Sequence, residues 1–169
     1  MGDLASKNLF LQRAQPEDIV QWSIETADRP VIFTNFRPSS IALVHLVSTI
    51  KQDIPVVWID SGFNTTATYR YINQVVDKFR LNLTPYTPTL TSNHWLTTHA
   101  AIPKIGTSLH EDITNLLKLY PSKRAHSALE PVCWFNGIRN EHTVHLRRQN
   151  DLSPGPTGNL NGPLLLTLS

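Results

Sequence analysis

The chain has 169 residues, 40% of them hydrophobic, and a formal net charge of +2. That length and apolar content suit one domain able to bury its own core, and so small a charge argues against a nucleic-acid partner. The single cysteine, Cys133, excludes an internal disulfide framework, a multi-cysteine zinc site and an iron–sulfur cluster held by these residues alone.

Taken in chain order, the pattern alternates between helix and strand. A helix is expected from about Pro16 to Ala27. Pro16 suits the first turn, Glu17 and Asp18 complement the positive end, and Ile19, Val20, Trp22 and Ile24 form an apolar side. "VIFT", residues 31–34, reads as a short buried strand. After "RPSS", with Ser39 or Ser40 as the expected cap, Ile41, Leu43, Val44, Leu46, Val47 and Ile50 make a helix that is apolar around much of its girth. "DIPVVWI" is a second strand. From about Thr66 to Arg80, Ile72, Val75, Val76 and Phe79 recur at helical spacing, and "LNLTPY" follows as a weaker third strand.

Residues 87–108 show weak periodicity and many turn formers, and read as a mobile loop or broken helix in which Trp95 is the tryptophan expected to be exposed. Ile113, Leu116, Leu117 and Tyr120 mark a short helix from His110 to Tyr120. Val132 to Phe135 reads as a strand ending in a glycine turn, and "RRQNDLSPGPTGNLNG" as loop. "PLLLTLS" looks like a final strand. Unpaired, it would invite association, which points towards a homodimer or an edge pairing within the chain. The alternation predicts an α/β fold: three α/β/α layers around a mostly parallel sheet, in a single domain spanning 1–169.

In open sheets of this kind, ligands bind beyond the carboxyl ends of the strands. "TNFRPSS", "DSGFNTTAT" and "NGIRNEH" occupy such positions. The first leads into a helix N-terminus, where free N–H groups favour phosphate or sulfate, and Arg37 can add a charge-assisted contact. Asp60 can accept from a ribose hydroxyl or an exocyclic amine, and Gly62 permits close backbone approach. Taken alone, Asp60-Ser61-Gly62 also fits a simple strand-closing turn, and Arg37 a solvated loop residue. His94, His99, His142 and His145 show no converging set of three ligands, so no metal is expected. No apolar stretch nears the ~20 residues of a membrane span, and no signal-type apolar segment opens the chain. A cytoplasmic protein without a membrane partner is therefore expected.

"VIFTNFRPSSIALVHLV", "DIPVVWIDSGFNTTATYRYINQVVDKFRLNLTPY" and "WFNGIRNEHTVHLRR" together resemble the phosphoadenylyl-sulfate (PAPS) reductase family of the adenine-nucleotide alpha-hydrolase-like superfamily; "LYPSKRAHSAL" is similar more loosely. The resemblance implies a Rossmann-like fold and a PP-loop at Thr34, Asn35, Phe36, Arg37, Ser39 and Ser40 that cradles phosphate. It implies that Asp60 and Gly62 border an adenylyl-sulfate-type nucleotide, and that Arg139 and Arg147 meet its sulfate or phosphates. It also implies sulfate assimilation, with thioredoxin or glutaredoxin as reductant and no resident cofactor.

The chain departs from that pattern at three places. Arg37-Pro38 stands where the family usually has glycine or another small residue, and Thr66-Ala67 where it commonly has Pro-Glu. No Glu-Cys-Gly-x-His segment, which carries the family's nucleophile, occurs in these residues, so the domain is expected to be short at its C-terminal end. Cys133, inside a buried-looking strand, is expected to be inert. Two other readings stay open: a nucleotide-binding protein without redox chemistry, and a structural or interaction module.

Overall fold

A computed structural model describes residues 14–99 and 101–136. Its strands are β1 (Pro30–Thr34), β2 (Pro55–Ile59), β3 (Asn82–Tyr86) and β4 (Cys133–Asn136), all parallel, in the order β3-β2-β1-β4. Its helices are α1 (Pro16–Thr26), α2 (Pro38–Ile50), α3 (Thr66–Phe79), α4 (Ser92–His99), α5 (Ser108–Thr114) and α6 (Tyr120–Leu129). Parallel strands covered on both faces read as unbroken apolar runs, and these do: "VIF", "VVWI" and "CWF".

Alternate residues of each strand face opposite layers. Ile32, Val56, Trp58, Cys133 and Phe135 join Val20 of α1, Leu43, Val44 and Val47 of α2, and Ile72 and Val75 of α3 in the main core. On the other face, Val31 and Val57 meet Ala125 of α6, with Phe33, Ile59, Tyr86 and Leu129 packed around them. The expected three layers are present. Pro85 is tolerated in β3 because that strand has a paired neighbour on one side only among the described residues.

Four expectations are corrected. Neither Ser39 nor Ser40 caps α2. Pro38, with its fixed φ, begins the helix two or three residues earlier, Arg37 becomes the N-cap, and both serines fall in the first turn. The stretch read as loop or broken helix contains α4, started by Thr91, whose Oγ1 accepts from the His94 N–H at 3.2 Å. Within α4, Trp95 is 6% exposed rather than open to solvent. It packs with Phe63, Leu90, Ile113, Leu116 and Leu117.

The helix expected to end at Tyr120 instead continues. Asn115–Leu119 is a π turn that links α5 to α6, with the Tyr120 N–H donating to the Asn115 carbonyl. Pro121 has no N–H for the Leu117 carbonyl, and the wider turn just before it lets the chain continue helically to Leu129. Tyr120 itself is exposed. The strand expected in Pro163–Ser169 lies outside the described residues.

Candidate functional site at the carboxyl edge of the sheet

β1 is the pivot of the sheet. The chain leaves it through α2 towards β2 and β3, whereas β4 lies on its other side, reached through α6 on the opposite face. The carboxyl ends of β1 and β4 therefore flank the point where strand order reverses, where open α/β sheets form their ligand crevice. β4 ends at Asn136, opposite Phe33. The segment carrying Arg139 and Arg147 follows it in sequence, and both arginines lie outside the described residues.

The loop after β1 is held by its own side chains. Thr34 Oγ1 accepts from the Phe36 N–H at 3.1 Å, and Asn35 Oδ1 accepts from the Arg37 N–H at 3.0 Å and the Ser40 hydroxyl at 2.7 Å. Phe36 sits in the left-handed region at φ 55, a conformation that costs a side-chain-bearing residue about 1–2 kcal/mol. Such strain persists only where surroundings fix it. Phe36 is 4% exposed and packs edge-on against Trp58, ring centroids 5.7 Å apart.

The outcome is an open helix end. Arg37, the N-cap of α2, makes no side-chain cap bond, and Pro38 removes one N–H from the first turn. The remaining free amides and the positive end of the helix dipole favour an anion. Arg37 is exposed beside them, and Ser40 is buried in the first turn.

The loop after β2 is closed on a carboxylate. Asp60, 9% exposed, accepts at Oδ1 from the Gly62 N–H (2.9 Å) and the Asn64 amide (2.8 Å), while the Tyr69 hydroxyl lies 3.1 Å from Oδ1 and 3.0 Å from Oδ2. Burial first, then the hydrogen bond and charge of Asp60, raise the Tyr69 hydroxyl above its ordinary pKa, which keeps it protonated as a donor. Gly62 takes φ 76, and its carbonyl accepts from the Ser92 hydroxyl at 2.8 Å, which ties α4 to this loop. A Cβ at Gly62 would meet Ser92 Oγ at 3.3 Å.

Thr34, Asn35, Phe36, Arg37, Ser39, Ser40, Asp60 and Gly62 thus belong to the two loops that leave adjacent strands at one edge. Sequence reasoning overlooked Tyr69 and Asn64. Nothing in the spacing says that a tyrosine nine residues on, in the first turns of the next helix, reaches back to Asp60. Cys133 is buried on β4, and burial pushes its thiol up to about 12. Among the described residues no group of three or more His, Cys, Asp or Glu could hold a metal ion, and no helix is long and apolar enough to cross a membrane.

The phosphoadenosine phosphosulfate reductase domain, as a family model, matches residues 29–152. The chain belongs to this reductase family. A phosphoadenosine 5'-phosphosulfate reductase of Xylella fastidiosa is 30% identical over 141 residues, covering 82% of this chain and 59% of the relative. One from Synechocystis is 30% identical over 151 residues, covering 88% of this chain and 59% of the relative. The chain therefore spans about three-fifths of the length of the curated relatives it matches. A PAPS reductase structure from Candida auris, a phosphate complex, superimposes with a TM-score of 0.75 at 17% identity, covering 97% of this chain and 76% of that one. That likeness bears out the Rossmann-like reductase fold expected from the sequence.

Proposed function

We propose that this chain holds an adenylyl-sulfate-type nucleotide at the carboxyl edge of its sheet, as the nucleotide-binding part of a system that reduces activated sulfate to sulfite. The observation that carries the reading is the uncapped N-terminus of α2, which opens at the strand-order reversal of a reductase-family sheet. A phosphate lies against the loop Thr34–Ser40, with Arg37 as charge partner and the Ser39 and Ser40 amides as donors. Asp60 and Gly62 border the nucleoside. Arg139 and Arg147 supply positive charge from the segment after β4. The Candida auris protein of similar fold was solved as a phosphate complex.

Reduction needs a thiolate to attack sulfur, with adenosine 3',5'-bisphosphate leaving. Cys133, the only cysteine in the sequence, is buried and stays a neutral thiol at physiological pH. The nucleophile is therefore supplied from outside these 169 residues, and thioredoxin or glutaredoxin is the reductant that this reading expects, in a reducing cytoplasm. The same burial of Cys133 favours a second reading, nucleotide binding without redox chemistry.

Calorimetry with adenosine 3',5'-bisphosphate tests the shared part. Binding at about micromolar Kd, weakened about tenfold or more in Arg139→Ala, is expected. No heat at millimolar ligand overturns it. A sulfite-release assay with reduced thioredoxin then separates the two readings. No sulfite is expected from this chain alone, and release that disappears in Cys133→Ala would overturn the inert assignment of that thiol. If a Glu-Cys-Gly-x-His peptide supplied in trans restores sulfite release, the reductase reading holds over the binding-only one.

A further inference from the structure

The loops after β1 and β2 share no direct hydrogen bond among the described residues, yet a continuous set of side chains joins them. Asp60 lies within hydrogen-bond distance of the Tyr69 hydroxyl through both carboxylate oxygens. The Tyr69 ring packs edge-on against Trp58 at 5.9 Å, and Trp58 packs edge-on against Phe36 at 5.7 Å. Trp58 and Phe36 are buried, so these contacts are shielded from competition with water.

We propose that Tyr69 is a positioning residue that couples the two loops, holding Asp60 in place at one end and, through Trp58, the strained turn at Phe36 at the other. This rests on the nucleotide-site reading only for its consequence in binding; the coupling itself is a property of the free protein.

Strain makes the coupling necessary. A phenylalanine at φ 55 persists only where its surroundings fix it, and here they are a buried N–H bond to Thr34 Oγ1 and the packing of its ring. The Trp58 ring packs edge-on against it within the main core, and Trp58 in turn packs edge-on against Tyr69. Tyr69 is itself anchored by a buried carboxylate that takes two further donors, from Gly62 and Asn64. Interlocked edge-on rings in a close-packed interior have few alternative arrangements, so loosening one end is felt at the other.

Amide hydrogen exchange of the free protein tests this without any ligand. Tyr69→Phe keeps the ring and removes only the hydroxyl; Tyr69→Leu removes the ring as well. The Phe variant is expected to speed exchange at the Gly62 amide about tenfold, and the Leu variant to speed it at Phe36 also, 33 positions away in sequence. The Ile54 amide, bonded to the Lys51 carbonyl at the opposite end of β2, is the control and should not change. Equal acceleration at Ile54 would mean general destabilisation and would overturn the proposal. So would faster exchange at Gly62 in Tyr69→Leu with Phe36 unaltered.

Where wild-type protein binds adenosine 3',5'-bisphosphate, a double-mutant cycle on affinity follows. Tyr69→Leu and Phe36→Leu are each expected to weaken binding about 3- to 20-fold, and the double variant by at least threefold less than their product. Strict multiplicativity overturns the coupling. An absence of wild-type binding defeats the nucleotide reading while leaving the exchange result to decide the coupling.

Discussion

The N-caps of α2 and α3 have nearly the same backbone, φ −73 and ψ 158 at Arg37, φ −74 and ψ 160 at Thr65, yet the two helix ends differ chemically. At Thr65 the hydroxyl accepts from the Thr68 N–H at 3.2 Å and closes the end of the helix. At Arg37 the same backbone presents a cation where an acceptor would normally stand, and no side chain closes the turn. Backbone geometry therefore does not decide which end is available to an anion. The side chain at a single position does, and at α2 it leaves stability unclaimed in favour of an open donor set.

Reversing that choice should produce the largest effect. Arg37→Asp puts an acceptor and a negative charge at an N-cap whose dihedrals already suit it. It should raise stability by about 1 kcal/mol in urea denaturation. It should also lower affinity for adenosine 3',5'-bisphosphate by about 100-fold, since a cationic contact is lost and the carboxylate competes for the amides. A gain in stability with unchanged affinity would show that the open end of α2 is not where phosphate sits. Next in size is Gly62→Ala in the closed loop. At φ 76, with Ser92 Oγ 3.3 Å from the new Cβ, it should cost about 1–2 kcal/mol, read as a lower urea midpoint at unchanged slope.

How far the sequence disclosed this difference varies by element. β1, β2 and β4 were legible because strands buried on both faces leave runs such as "VVWI". α1 to α3 were legible from their apolar spacing. α4 was not, because Trp95 is its one buried residue and the others are Ser, Asn, Thr, His and an exposed Leu96, which leaves no periodicity to read. The continuation through Pro121 was hidden because proline normally ends a helix, and a π turn upstream leaves no mark in composition.

At the site, the residues of both loops were legible from their place after buried strands. The roles were less so. That Ser40 turns its hydroxyl to Asn35 instead of capping, and that Asp60 is met by Tyr69, depend on where α2 and α3 lie once packed. Those orientations are set by contacts far apart in the chain. Arg139 and Arg147, picked out by family resemblance, lie outside the described residues and stay assigned by that resemblance alone.

The smallest expected effect is also the one that isolates the cap from everything around it. Thr65→Ala removes one hydroxyl acceptor from an exposed position, leaving the Thr68 N–H to water. The N-cap scale puts the cost at about 1 kcal/mol, and exposure should keep it near or below that figure. Because Thr65 is bonded within α3 to Thr68 and is not among the residues assigned to the nucleotide, affinity for adenosine 3',5'-bisphosphate should stay within about twofold, which is under 0.5 kcal/mol. The reciprocal change, Arg37→Thr, gives α2 the cap that α3 has on the same dihedrals. It should return about the same stability that Thr65→Ala removes, while weakening the nucleotide. If the two substitutions changed stability with the same sign, the matched backbones would not be equivalent caps. The difference between the helix ends would then have to come from the packing of Phe36 and Asn35 rather than from the side chain at position 37.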